Sequence, residues 1–281
     1  MQLNNKEAEL FIPDGTPVIE ALARTTDLCI AAHHDDIEIM AYGPISACYG
    51  QKDRWFTGVT VSDGAGSPRS GIYADYTDED MKAVRAVEQK QAAHIGRYAA
   101  QFLLCYKSSE IKDPDNKLLI EEIKTIIRRC RPKVIYTHNL ADKHDTHVAT
   151  ALRVIRAIRE LTPDERPEKL YALEVWRGLD WVNDEEKLTF DTSGHPNLAA
   201  ALLGIYDSQI AGGKRYDLAA LGRRSANATF FASHDVDSSD SLTYGIDMSP
   251  LIRDTSLSVT DFITGFVDRF KNEVITRLER F

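Results

Sequence analysis

From Asp27 to Glu160 this chain alternates short apolar runs with longer amphipathic stretches, and that alternation narrows the folds open to it. Asp27–Ala32 (DLCIAA) is apolar on both faces and stops abruptly at His33, the pattern of a buried parallel strand. Trp55–Val61, Phe102–Tyr106 and Lys133–Thr137 read as further strands. Pro17–Arg24 and Gly43–Tyr49 read as short helices; Glu79–Ala100, Lys117–Arg129 and His144–Glu160 read as longer ones. In the Glu79–Ala100 helix, Met81, Val84, Val87, Gln91, Ile95 and Tyr98 project close to one face. Strands separated by helices of this length imply βαβ units with right-handed crossovers. The expected fold class is therefore α/β: a Rossmann-like, mainly parallel β-sheet flanked by helices.

Beyond Pro163 the order changes. Leu170–Trp176 and Lys187–Phe190 are β-like, whereas His195–Gln209, Tyr216–Phe231 and Asp261–Arg280 are helical in pattern. No Pro/Gly-rich linker divides the chain. The expectation is one domain over residues 1–281, with an N-terminal arm (1–26) and an elaborated C-terminal part from about 164 to 281.

Several function classes are disfavoured by composition. The net charge is −9, and Lys and Arg are scattered, so no nucleic-acid partner is expected. The polar opening residues carry no apolar signal core, and no run approaches the ~20 apolar residues needed to span a bilayer. Cys29, Cys48, Cys105 and Cys130 are widely spaced and lack CxxC pairing, which reads as reduced thiols in a cytoplasmic protein.

The chemistry concentrates at two places. The run Asp27–Ala32 delivers His33, His34, Asp35, Asp36 and Glu38, and Lys133–Thr137 delivers His138, Asp142, His144, Asp145 and His147. Five of the eight histidines fall in these two segments, both beyond the carboxyl ends of expected parallel strands, where open α/β sheets bind ligands. His33 and Asp36 are three apart, as are His144 and His147, so each pair can converge on one ion. In helical projection His144 and His147 extend the apolar stripe of Val148, Ala151, Ile155 and Ile158, while Asp145 and Thr146 turn away. Imidazoles with a carboxylate form a ligand set of catalytic zinc sites. His94, His195 and His234 lie outside the clusters and read as packing or capping residues.

Four stretches together resemble the PIG-L/LmbE-like de-N-acetylase family: Ala32–Glu38, Ser62-Asp63-Gly64, the pair Arg85 and Glu88, and Lys143–His147. Tyr206–Gln209 resembles a later element of the same family. The resemblance implies a Rossmann-like fold and removal of acetyl groups from N-acetylated amino sugars by one zinc ion per chain. It implies His33, Asp36 and His147 as metal ligands, Asp35 as general base and His144 as the acid or oxyanion-stabilising histidine. The implied partner is a small N-acetylated sugar-type molecule, and a homo-oligomer is compatible with the family.

The chain departs from the family pattern in places. His34 stands where proline is usual, Asp145-Thr146 where Pro-Asp is usual, and Tyr206 where histidine is usual. Asp142 or Asp145 is a candidate to orient His144. Arg69 occupies the loop from which family members reach the sugar or its phosphate, and a solvated loop arginine is its other reading. Gly212–Tyr216 reads as a helix cap or an anion site, and Trp176, Trp181 and Tyr206 as core aromatics or a stacking surface for a sugar. The competing readings are a zinc amidase on a non-sugar N-acyl compound, a helical metal-dependent phosphohydrolase and a nucleotide-binding module. The phosphohydrolase would put its His-Asp pairs on helices, yet His33 follows a strand-like run; the nucleotide module lacks a GxGxxG after the first strand.

Overall fold

A computed structural model describes residues 3–281; Met1 and Gln2, the start of the expected arm, lie outside the described residues. Its frame is one eight-stranded sheet, with strands β1 (Glu9–Phe11), β2 (Asp27–Ala31), β3 (Phe56–Ser62), β4 (Ala100–Tyr106), β5 (Val134–His138), β6 (Lys169–Leu173), β7 (Leu188–Asp191) and β8 (Leu242–Asp247). Their spatial order is β1-β4-β3-β2-β5-β6-β8-β7. The five central strands β4, β3, β2, β5 and β6 run parallel, while β1, β8 and β7 join antiparallel at the two edges. The α/β fold with a mainly parallel sheet is thus the one the alternation implies.

The central strand is buried on both sides, and its side chains alternate between two cores. Leu28 and Ile30 join Val59, Phe102 and Ile135 beneath the helices Lys117–Cys130 and Asp145–Arg159. Cys29 and Ala31 join Ile37, Met40, Tyr98 and Leu202 on the opposite face. At its start, the buried Asp27 carboxylate accepts from both Arg54 Nε and Nη2 (3.0 and 2.8 Å) and from the Tyr136 hydroxyl (2.9 Å). These bonds satisfy an anion that would otherwise be costly to bury.

The connectivity creates the site. From β2 the chain winds outward through β3 to β4, then returns to place β5 on the other flank of β2. The gap between the carboxyl ends of β2 and β5 is therefore a topological switch point, where ligands bind in such sheets. His33 follows β2, and His138 ends β5.

Several expectations shift. Part of the polar arm pairs with β4 as the short strand β1, and β8, which no sequence pattern flagged, separates β6 from β7. The expected Glu79–Ala100 helix ends at Ile95, because Ala100 already belongs to β4. Its buried face is also different: Met81, Arg85, Glu88, Gln89 and Ala92 point inward, while Val87 is 56% exposed. Helical projection picks apolar residues, but here the helix covers a polar site. His195–Gln209 is two helices, Pro196–Gly204 and Asp207–Ile210, and Thr146 is buried rather than turned away. All four cysteines are free thiols. Among the described residues no helix is long and apolar enough to cross a membrane.

Ile30 is fully buried in the central strand. Ile30→Ala is expected to lower unfolding stability by about 2–5 kcal/mol, read as a lower denaturant midpoint with an unchanged slope.

Candidate metal centre and pocket

The chain leaves β2 in a sharp turn that lifts three functional side chains to the sheet edge. Asp35 sits at a left-handed φ of 84°, an uncommon conformation for a residue with a side chain. It precedes the short helix Asp36–Met40. The turn is closed by the His33 N–H donating to Asp36 Oδ2 (2.7 Å) and the Asp35 N–H donating to Gln89 Oε1 (3.3 Å). Gly64, of the Ser62-Asp63-Gly64 loop, seals it from outside. Its φ is +80°, and an added Cβ would stand 3.1 Å from the His34 imidazole. His34 is buried and kept neutral, by burial and then by the Arg85 charge.

Three donor atoms meet at the switch point. His33 Nδ1 lies 3.0 Å from His147 Nε2 and 3.1 Å from Asp36 Oδ2, and His147 Nε2 lies 3.2 Å from the same Asp36 oxygen. A tetrahedral zinc with N and O bonds of about 2.0–2.1 Å has ligand–ligand edges of about 3.3 Å, so this triangle fits one ion. His138 also approaches, its Nε2 3.6 Å from Asp36 Oδ2, and with Asp36 and His147 it forms a second possible ligand group. That nitrogen, however, already accepts the Ala32 N–H at 2.8 Å. His138 also stacks on His147 with ring centroids 4.0 Å apart. His144 completes a group with His33 and His147 whose ligand atoms lie within 4.8 Å.

The electrostatics of this cluster follow from burial in close company. Burial opposes ionisation of Asp36, yet the His147 and His33 imidazoles outweigh it and hold the carboxyl well below its usual range. His147 is likewise disfavoured as a cation by burial, but Asp36 and Asp142 raise it to about 9. Asp35 goes the other way. Burial pushes it to about 7, against the pull of Arg85 and with a further push from Asp36 and Glu38. Two adjacent aspartates thus take opposite characters, one an anion fit for a cation and one poised to exchange a proton. Burial and the cationic forms of His33 and His147 lower His144, leaving a neutral imidazole.

A buried framework holds these groups. Arg85 donates to the His34 carbonyl and, at 3.2 Å, to Asp35 Oδ2. Glu88, one turn on, accepts from the Ser208 N–H (2.7 Å) and hydroxyl (2.6 Å), tying Tyr206–Gln209 to the same helix. Fully buried Glu38 accepts from Gln89 (3.0 Å), Tyr98 (2.8 Å) and Tyr206 (2.6 Å). Tyr206 therefore serves as a buried hydrogen-bond donor, not as a stacking surface. Asp142 faces the Nδ1 of His147 at 3.5 Å, and its tie to His144 is through that residue's backbone N–H (2.9 Å). The carboxylate expected behind His144 thus stands behind His147.

The cluster forms the buried end of a cavity of about 460 Å³ whose lining includes His33, Asp35, Asp36, Arg85, His144, Trp176 and Gln209. Trp176 reaches this wall, but Trp181 packs against the other core. Arg69 is absent from the lining; it pairs with Asp78 and donates to the Ala65 carbonyl (3.0 Å). In Gly212–Tyr216, Arg215 pairs with Asp217 at 2.7 Å, whereas Tyr216 faces the cavity. His195 precedes the helix Pro196–Gly204, and His94 and His234 are exposed away from the cluster. The sequence marks no role for Gln89, Arg223 or Arg224, and places Tyr98 only on the expected apolar helix face. Arg224 donates to the carbonyls of Glu38 and Ile39, closing the short Asp36–Met40 helix. No local pattern marks the hydrogen-bonding roles of these residues, because their partners lie far away in the chain.

Fold and cluster together describe an α/β chain that can hold a divalent metal at a sheet switch point beside a carboxyl poised near neutrality. Residues 28–158 match the model of the PIG-L family, described as GlcNAc-PI de-N-acetylase, a family of metal-dependent N-deacetylases that hydrolyse amide bonds. No curated protein matches the chain by sequence. Among solved structures, N,N'-diacetylchitobiose deacetylase from Pyrococcus horikoshii is 15% identical with a TM-score of 0.62, covering 83% of this chain and 86% of its own. A 4-carboxy-2-hydroxymuconate hydratase from Pseudomonas putida is 17% identical with a TM-score of 0.60, covering 80% and 95%. A zinc-inhibited form of a teicoplanin deacetylase is 14% identical with a TM-score of 0.54, covering 79% and 97%. At these identities the likeness is one of fold.

His147→Ala is expected to abolish stoichiometric metal in the purified protein, read by elemental analysis. Asp142→Asn keeps the shape but removes the charge behind His147. It is expected to weaken metal affinity about 10–100-fold in a chelator competition.

Proposed function

We propose that this chain is a zinc-dependent hydrolase that removes the acetyl group from an N-acetylated amino sugar or sugar conjugate. The observation that carries this reading is the His33–Asp36–His147 triangle with Asp35 beside it at the buried end of the cavity. In this reading His33, Asp36 and His147 hold one zinc ion. When bound, the metal supplies Lewis acidity toward an amide carbonyl and makes water easier to deprotonate.

The chain's own residues do the rest. Asp35, with its carboxyl near 7, takes the proton from the attacking water and returns it to the leaving amine, so that amide and water become acetate and amine. Arg85 holds the Asp35 carboxylate toward the cavity. His144 lines the cavity with its ring centroid 4.7 Å from that of His33. As a neutral imidazole it can donate one N–H to the oxyanion forming on the substrate. The same fold also hosts a hydratase, so fold by itself does not decide the reaction. The deacetylase reading rests on the matched motifs together with the donor triangle. The four free thiols support a reducing compartment such as the cytoplasm.

A panel of N-acetyl amino sugars and N-acyl amino acids, scored by released acetate, tests the reading. Activity confined to the sugars supports it, activity confined to N-acyl amino acids shifts it to an amidase, and no acetate from either refutes it. Asp35→Ala is expected to lower kcat by about 100-fold or more while metal content stays at one equivalent.

A further inference from the structure

The outer wall of the cavity has a charge character that the chemistry at its buried end does not require. Trp176 forms part of this wall, with its ring centroid 6.4 Å from that of His144 and Tyr216 edge-on at 5.8 Å. Lys143 Nζ stands 5.9 Å from the Trp176 ring and Lys214 Nζ 5.4 Å from it. Arg223 lines the same cavity, donating through Nη1 to the carbonyl of Val175, next to the tryptophan.

Several other cations around the site are paired. Arg85 meets Asp35, Lys82 meets Asp63, Arg69 meets Asp78 and Arg215 meets Asp217. Lys143, Lys214 and Arg223 form no ion pair with a carboxylate among the described residues. In a chain with 43 acidic and 34 basic residues, two such cations against one aromatic ring and a third on the cavity wall beside it are a departure from the background charge. Lys143 also lies far in the chain from Lys214 and Arg223, so no single run of sequence accounts for all three. The arrangement is fixed from below. Asp142 Oδ2 accepts the N–H groups of Trp176 (3.1 Å) and Arg177 (3.3 Å), while its other oxygen faces His147. One carboxylate thus sets the distance between the ligand cluster and the aromatic wall.

Resting on the deacetylase reading above, we propose that the substrate is anionic: an N-acetylated amino sugar whose ring lies against Trp176 and whose phosphate or carboxylate is held by Lys143, Lys214 and Arg223. The indole offers an apolar face to a sugar ring, and the three cations supply charge-assisted hydrogen bonds to an anion beyond it. The proposed subsite is assembled from the β5–helix loop, the segment after β6, and the Tyr216–Phe230 helix with the loop that leads into it. It adjoins the metal cluster but shares no ligand with it.

The test compares N-acetylglucosamine 1-phosphate, N-acetylmuramic acid and methyl N-acetylglucosaminide, measuring kcat/KM by acetate release and, independently of turnover, the affinities of the deacetylated products by calorimetry on the metal-loaded protein. At low salt the preferred anion is expected to exceed the neutral sugar about ten- to a hundredfold in both measurements, with the advantage shrinking as salt rises. Preference for the phosphate or for the muramic carboxylate tells which anion the subsite takes. Lys143→Gln and Arg223→Gln should each reduce the anionic-to-neutral ratio, whereas Arg69→Gln should leave it in place. Acetate released from all three sugars at equal kcat/KM, with equal product affinities, overturns the anionic subsite and leaves the deacetylase reading standing. No acetate from any of them refutes the deacetylase reading, and the calorimetric ratio then decides the subsite by itself.

Discussion

Asp36 is the constraint around which the molecule is arranged. Its carboxylate is buried at the mouth of the switch point, where an isolated anion would be prohibitively costly. It survives there because imidazoles from two distant segments surround it, with His33 and His147 within 3.2 Å and His138 at 3.6 Å. The His33 N–H adds a direct hydrogen bond. Each histidine is delivered by an element that the parallel sheet must place at that edge: the turn after β2, the end of β5 and the helix that follows. The topology and the charge cluster are therefore one requirement, since a chain that did not return β5 beside β2 would leave Asp36 without partners.

Behind this cluster lies a polar interior that ties the C-terminal part of the chain to the site. Glu38 is enclosed by Gln89 and Tyr98 from the middle of the chain and by Tyr206 from beyond Pro163. Arg224 caps the carbonyls of the same short helix, and Glu88 fastens Ser208. Each bond satisfies a group that burial would otherwise penalise, so the network is stable only as a whole. Its effect is to lock the Asp35–Asp36 turn, including the left-handed φ at Asp35, from the side opposite the cavity. The geometry of the turn is thus maintained by side chains that lie outside the cavity lining.

Much of this was legible in the sequence, and the limits have physical reasons. The central strands and the main crossover helices announced themselves because burial imposes apolar runs and helical periodicity. The two histidine clusters were visible because imidazoles concentrated at strand ends have few structural uses. What periodicity could not show is the inward face of the Asp78–Ile95 helix. Arg85, Glu88 and Gln89 are polar residues turned inward to serve the site, so the apolar projection selected Val87, which faces solvent. Strands β1 and β8 escaped for a different reason. They are edge or antiparallel additions whose pairing partners lie far off in sequence, and short strands carry little pattern of their own. Asp142 was singled out as a carboxylate near the second cluster, but only the geometry turned it from His144 toward His147.

The comparison with other folds of this kind sharpens what the site must contribute. A hydratase and deacetylases share this architecture at similarly low identity, so the sheet and its switch point provide a location rather than a reaction. Selectivity for a reaction has to come from groups whose protonation the site controls. Here the decisive contrast is between neighbours in sequence: Asp36, held as an anion by imidazoles, and Asp35, driven toward neutrality by burial beside Asp36 and Glu38. In the proposed reaction, an anion able to hold a cation and a carboxyl poised near neutrality stand one residue apart, as a step in which water loses a proton and an amine gains one requires. The outer wall adds a separate demand. Among the described residues its cations Lys143, Lys214 and Arg223 form no ion pair with a carboxylate, and in the proposed reading an anion on the incoming molecule supplies the missing partner.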